Sequence, residues 1–191
     1  MKQMAVFASG AGSNTARIID HFRHHPVIKV ALVVSNKPGA GVLGIAEKAG
    51  IPTLLIEKEP FFREDGYVGA LKDLGIDIIV LAGFLWKIPM SLLRAYPGKI
   101  INLHPALLPK YGGKGMYGRY VHEAVVAAGE KETGITIHLV DELYDHGKVV
   151  FQALVPVEAG DTPERVAEKV RRLEHRYFPE IIEKVIGGAD L

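Results

Sequence analysis

The sequence predicts an α/β fold: a mostly parallel sheet with antiparallel carboxyl-terminal strands and helices on both faces. Two observations carry this. Through the first hundred residues, apolar runs alternate with helical patterns, the signature of parallel strands joined by right-handed crossovers. Beyond His104 that alternation stops, and two apolar strands flank one polar loop, which reads as an antiparallel pair. A length of 191 residues suits one domain, 1–191, with a full hydrophobic core.

Taken in order, strands are expected near 3–9, 27–35, 52–56, 76–82 and 99–103, with helices near 15–24, 41–49, 63–74 and 89–95 between them. A glycine- and lysine-rich loop over 105–118 then leads to a helix near 119–128. Strands follow at Gly134–Val140 and Val149–Val157. The last helix starts at Asp161-Thr162-Pro163-Glu164, where Thr162 can cap and Pro163 suits the first helical position. Val166, Val170, Leu173, Tyr177, Ile181 and Val185 form its expected buried stripe. Glu174 lies at the edge of that stripe, facing either a cleft or water.

Composition excludes several classes. Hydrophobic residues make up 48% and charged residues 24%, ordinary for a soluble globular protein. A formal net charge of +1 argues against a nucleic-acid surface. The absence of cysteine removes disulfides, thiolate metal sites and thiol nucleophiles. No apolar run approaches a membrane span, and Met1–Phe7 runs straight into a strand rather than reading as a signal peptide. The expected location is cytoplasmic. His21, His24 and His25 have the spacing of a metal pair but no acidic partner nearby, so no metal is expected.

Two loops carry the chemistry. Ser9-Gly10-Ala11-Gly12-Ser13-Asn14-Thr15 follows the first strand and opens the first helix, where backbone N–H groups and the helix dipole form an anion site. A dinucleotide fingerprint would need glycine at Thr15 and an acid where Ser35-Asn36 stand. The phosphate of a smaller ligand, held by Gly12, Ser13 and Asn14, fits better. A ligand-free tight turn is the bland alternative.

The second feature is Asn102-Leu103-His104-Pro105, ending a short buried strand, followed later by Asp145-His146-Gly147. Asn102 and His104 are two residues apart and share a face at the strand's carboxyl end, where open parallel sheets bind ligands. An amide donor, an imidazole and a carboxylate can polarise a carbonyl and manage a proton. No GxSxG elbow is present, so attack is expected from a bound substrate. Asp141 and Glu142 compete with Asp145 for the carboxylate role. Asp145 is favoured because it directly precedes the turn into the last strand. His122 and His138 read as structural.

Taken together, Gly10-x-Gly12-Ser13-Asn14, Leu81-Ala82-Gly83-Phe84, Asn102-Leu103-His104-Pro105-Ala106-Leu107-Leu108-Pro109-Lys110-Tyr111, Asp145-x-Gly147 and Glu174-His175 resemble the folate-dependent formyltransferase family. Within it the chain is similar to the phosphoribosylglycinamide formyltransferases, also called glycinamide ribonucleotide transformylases. The match runs from Met1 to about Gly187. It implies a Rossmann-like formyltransferase fold, with a phosphate-binding amino-terminal half and a folate-binding, catalytic carboxyl-terminal half.

The resemblance also implies a reaction of purine synthesis. The amine of glycinamide ribonucleotide takes the formyl group of the co-substrate 10-formyltetrahydrofolate. Asn102, His104 and Asp145 are then the catalytic residues. Gly12, Ser13, Asn14 and Arg63 hold the phosphate, and Glu174 holds ribose hydroxyls. Phe84, Leu85, Trp86, Lys87, Ile88 and the 141–145 loop, with Asp141, line the folate site, and Leu108-Pro109 is a cis peptide. The expected partners are these small molecules, with no nucleic acid and no membrane. The resemblance leaves monomer and homodimer both open.

Two features depart from the family. Tyr111–Gly118 is longer and richer in glycine than the usual loop after Leu-Leu-Pro, so no site residue carries across it. Its four glycines in eight residues predict a mobile segment. Trp86-Lys87 replaces a more usual Met-Arg pair. The competing functions are another 10-formyltetrahydrofolate-dependent formyltransferase, a hydrolase, or a non-catalytic nucleotide-binding module. A transfer-RNA formyltransferase would continue into a second domain. The hydrolase would carry an amino-terminal regulatory domain, whereas here the first strand starts near residue 3.

Overall fold

The structure, a computed structural model, describes residues 1–63 and 66–188. They form seven strands in one sheet of order β3-β2-β1-β4-β5-β6-β7. The strands are β1 (Lys2–Phe7), β2 (Ile28–Ser35), β3 (Thr53–Leu55), β4 (Ile78–Leu81), β5 (Ile100–His104), β6 (Glu132–Leu139) and β7 (Val149–Pro156). The helices are α1 (Ser13–Phe22), α2 (Gly41–Lys48), α3 (Lys58–Phe62), α4 (Val68–Asp73), α5 (Met90–Ala95), α6 (Arg119–Ala127) and α7 (Pro163–Ile186). The chain divides into two compact units, Met1–Ile101 and Asn102–Leu191, with the boundary inside β5.

In the first unit, β1 pairs in parallel with both β2 and β4, and β2 with β3. The central strand β1 reads as a near-continuous apolar run because both its faces are covered: Met4, Ala5, Val6 and Phe7 are at most 1% exposed. The chain leaves β1 toward one side of the sheet and returns to pair β4 on the other. That reversal makes the carboxyl ends of β1 and β4 the switch point where such sheets open a crevice.

One expected helix differs. Of the helix expected over 63–74, only Val68–Asp73 forms, as α4; α3 lies before that range, Arg63 is extended, and Glu64 and Asp65 lie outside the described residues. Tyr67, at φ 59°, breaks the helical path just before α4. The same residue donates no cap; its hydroxyl instead meets the Glu57 amide at 2.9 Å.

In the second unit, β6 and β7 pair antiparallel, with a bulge between Ile137 and His138. Thr162 caps α7 by accepting from the Arg165 amide, and Pro163 is its first residue. The buried stripe of α7 is Val166, Val170, Phe178, Pro179, Ile181 and Ile182. Leu173, Tyr177 and Val185 of the expected stripe are only half-buried. The helix runs on through Pro179, which is itself buried. Leu108-Pro109 is cis.

Candidate active site

The first unit shapes the glycine-rich loop largely through its backbone. Gly12 sits at φ 85° as the residue before α1, and a Cβ there would lie 2.8 Å from the Val42 Cα. Only glycine suits both the left-handed conformation and this approach to α2. No side chain caps α1, and its first turn carries no acid. The first turn of any helix presents N–H groups without intrahelical acceptors, and here the positive dipole end is not offset by a carboxylate. Buried Ser9 ties the neighbouring strand ends together. Its hydroxyl donates to Asn36 Oδ1 at 2.6 Å and accepts from the Leu85 amide at 3.0 Å. Asn36 thus finishes β2 as a partner of Ser9.

The segment after β4 supplies the expected folate wall. Phe84 and Ile88 are buried, Trp86 is half-buried, and Leu85 and Lys87 are exposed. Phe84 stands edge-on to Phe7 at 5.3 Å and to Phe61 at 5.8 Å, while Trp86 leans on Phe61 at 5.6 Å. Arg63 follows α3, with its guanidinium on the Glu59 carboxylate one turn earlier.

In the second unit the structure brings Asn102, His104 and Asp145 together. The Asn102 amide nitrogen lies 3.0 Å from His138 Nε2 and 3.4 Å from Asp145 Oδ1. His104 Nδ1 is 3.4 Å from Asp145 Oδ2, and its Nε2 is 2.7 Å from the Tyr111 carbonyl oxygen. The Gly113 amide donates to Asp145 Oδ2 at 3.0 Å. The side chains of His104 and Asp145 are 5% and 11% exposed.

Donor and acceptor logic fixes the hydrogens. A carbonyl only accepts, so His104 Nε2 carries a hydrogen and Nδ1 is the nitrogen left facing Asp145. His138 Nδ1 lies 3.0 Å from the Leu139 carbonyl and donates to it, while its Nε2 lies 3.0 Å from the Asn102 amide nitrogen and 3.7 Å from Asp145 Oδ1. Both amide hydrogens of Asn102 are therefore directed at protein groups, the longer contact being to Asp145.

Burial lowers the His104 pKa and outweighs the Asp145 charge and the Tyr111 carbonyl, which raise it; His138 adds to the lowering. The ring is consequently neutral near pH 7, despite the carboxylate beside it. Burial also opposes the Asp145 charge. Even so, His138, His104 and the Gly113 amide hold its pKa below the ordinary carboxylate value. The site pairs a neutral imidazole with an ionised carboxylate.

The turn after β5 is set by Thr136. Its hydroxyl donates to the Ala106 carbonyl at 2.7 Å and accepts from the Leu108 amide at 3.0 Å and from Gln152 Nε2 at 2.8 Å. Gly147 fixes the other loop, because a Cβ there would fall 1.8 Å from the Leu139 carbonyl oxygen. Asp141 accepts from the Leu143 amide and pairs with His146 Nδ1 at 2.7 Å. Glu174 is half-buried on α7.

Sequence reasoning missed His138, Tyr111 and Gly113 as members of this cluster. A signal existed for His138: it alternates with Ile135 and Ile137 on β6, sharing with Thr136 a buried polar face. For Tyr111 and Gly113 no signal was available, because only their backbone atoms touch His104 and Asp145.

Among the described residues, no group of three or more His, Cys, Asp or Glu side chains is arranged to hold a metal ion, and no helix is long and apolar enough to cross a membrane. Residues 2–182 match the Formyl transferase family model. The chain belongs to the formyl transferase family. It is 36% identical to the phosphoribosylglycinamide formyltransferase of Bacillus subtilis (strain 168), covering 98% of this chain and 96% of that protein. It is 42% identical to the chloroplastic phosphoribosylglycinamide formyltransferase of Arabidopsis thaliana, covering 95% of this chain but only 64% of that relative's length. The crystal structure of phosphoribosylglycinamide formyltransferase from Bacillus halodurans superposes with a TM-score of 0.88 at 36% identity, covering 97% of this chain and 95% of that one.

Proposed function

We propose that this chain transfers the formyl group of 10-formyltetrahydrofolate to the amine of glycinamide ribonucleotide, giving formyl-glycinamide ribonucleotide for purine synthesis. The observation that carries the reading is the convergence of Asn102, His104 and Asp145 in a chain of the formyl transferase family. The reading takes 1–191 as one formyltransferase domain acting in the cytoplasm.

The amine lone pair attacks the formyl carbon, and the carbonyl π electrons move onto oxygen. Asn102 gives up its 3.4 Å contact with Asp145 and donates to that oxyanion, a bond that strengthens as charge develops. Asp145, ionised and low in pKa, receives the amine proton through water and shares it with His104 Nδ1. Collapse of the tetrahedral intermediate breaks the bond to the folate nitrogen, which leaves with that proton as tetrahydrofolate. No metal is needed for this proton balance.

Binding is assigned to separate elements. The α1 N-terminus, with Gly12, Ser13 and Asn14, takes the phosphate; Arg63 contributes charge once released from Glu59. Glu174 takes ribose hydroxyls. Phe84, Leu85, Trp86, Lys87, Ile88 and Asp141 take the folate.

The test is the ultraviolet change on deformylation of a 10-formyl folate, with and without glycinamide ribonucleotide. Turnover that requires the ribonucleotide supports the transferase. Turnover independent of it selects a hydrolase, and binding without turnover selects a nucleotide-binding module.

A further inference from the structure

Two of the three non-glycine residues with positive φ among the described residues, Tyr111 at 56° and Asp145 at 50°, belong to the cluster around His104. Tyrosine is disfavoured in this conformation and persists there only when its surroundings over-determine it. At Tyr111 the surroundings are specific. Its hydroxyl donates to Glu130 Oε1 at 2.8 Å, and Lys110 Nζ reaches the same oxygen at 3.0 Å. The tyrosine hydroxyl, and then the Lys110 ammonium, keep Glu130 ionised below the ordinary carboxylate range. One turn of strained chain is thereby pinned at both ends: its side chain on Glu130, its carbonyl on His104.

We propose that Tyr111 and Glu130 are positioning residues for His104. Glu130 holds the Tyr111 ring, and the Tyr111 carbonyl fixes the His104 hydrogen on Nε2, so that His104 gains and loses its proton at Nδ1, against Asp145. The proposal deepens the transferase reading in one respect, since it relies on that reading for the use made of the proton. The geometry itself does not depend on the substrate.

The groups facing His104 are few. Asp145 comes from the loop before β7, His138 from β6, and His122 from α6. His138 contacts Asn102, Leu139 and Asp145, and burial together with Arg171 lowers the pKa of His122. The carbonyl is also a cause that raises the His104 pKa, so loosening it moves that pKa down.

The test is long-range proton–nitrogen NMR of the histidine rings over a pH titration, on the full chain and on Tyr111→Phe, Glu130→Leu and Glu130→Gln. In the parent protein, His104 is expected as the Nε2–H tautomer. In Tyr111→Phe and Glu130→Leu its pKa falls by roughly 0.5 to 1, the size of a single net hydrogen bond, and the tautomers mix. Glu130→Gln, which keeps an amide oxygen for the tyrosine hydroxyl, stays closer to the parent. The inflection of the kcat pH profile follows the same order. Tyr111→Phe removes one oxygen and preserves the ring, so it reports even if Glu130→Leu folds poorly. An Nδ1–H tautomer in the parent, or an unchanged pKa and tautomer in both Tyr111→Phe and Glu130→Leu, overturns the proposal. Absent formyl transfer in the parent protein would sink the transferase reading and leave these NMR outcomes intact.

Discussion

The loop after β1 and the loop before β7 reach their shapes by different means. Gly10–Asn14 is a backbone device: one glycine at φ 85°, packed too tightly against Val42 for any side chain, delivers a helix N-terminus. The loop ending at Asp145-His146-Gly147 is a side-chain device, in which a non-glycine residue at φ 50° is held by hydrogen bonds from Asn102 and Gly113. A backbone device tolerates little change in size and much in polarity. A side-chain network tolerates neither, because each buried donor left unpaired carries its full desolvation cost.

The largest effect should come from the network. Asn102→Ala removes the donor to the developing oxyanion and should lower kcat by about 10²–10³, as at other oxyanion sites. Combining it with His104→Ala and Asp145→Asn should cost far less than the product of the single losses, since the members act as a unit. Steady-state kinetics of the four variants measures this, and strict multiplicativity would dissolve the unit.

The backbone device is tested by charge rather than bulk, because Gly12→Val would clash with α2 and unsettle the fold. Ser13→Asp places a carboxylate in the first turn of α1. Helix N-termini favour acids, so the melting temperature should hold or rise while the KM for glycinamide ribonucleotide rises about tenfold or more. An unchanged KM would return the loop to a ligand-free turn.

Next in size is the dependence of stability on pH. Burial lowers the pKa of both His104 and His122 below the unperturbed 6.5. Between the folded and unfolded values the unfolded chain binds more protons, so stability falls as pH drops below about 6.5. For one such ring the loss is about 1.4 kcal/mol per pH unit across that interval. Asp145, with its folded pKa depressed, adds a further loss only when pH falls through the carboxylate range. Denaturation midpoints at pH 7.5 and 5 should show the decline, and His122→Gln should flatten part of it. A flat profile would mean the rings are not buried in solution. The smallest effect is Thr162→Ala, the loss of one helix cap, at about 1 kcal/mol by chemical denaturation.

The same contrast explains what was legible in the sequence. Parallel strands buried on both faces announce themselves as apolar runs, so β1, β2 and β4 were plain, as were the switch from parallel to antiparallel order and the Thr162-Pro163 start of α7. The start of α4 only at Val68 was not, because it follows a tyrosine in the left-handed region, a conformation that composition does not encode. The α7 stripe slipped at Phe178 and Pro179, since a helical proline reads as a stop unless tertiary packing retains it. Asn102, His104 and Asp145 were recognisable as residue types at telling positions. The neutrality of His104 was not, for it arises from burial that exceeds the pull of a visible neighbouring acid. Tyr111 contributes a carbonyl oxygen, and every residue has one.

The most direct measurement is kcat for formyl transfer by Asp145→Asn beside Asp141→Asn, each with the ribonucleotide KM determined. Asp145→Asn should lose most of kcat with ribonucleotide binding still measurable, while Asp141→Asn, whose parent carboxylate pairs with His146, should keep kcat near that of the parent. A near-parental kcat in Asp145→Asn, or its abolition in Asp141→Asn, would contradict the catalytic role of Asp145.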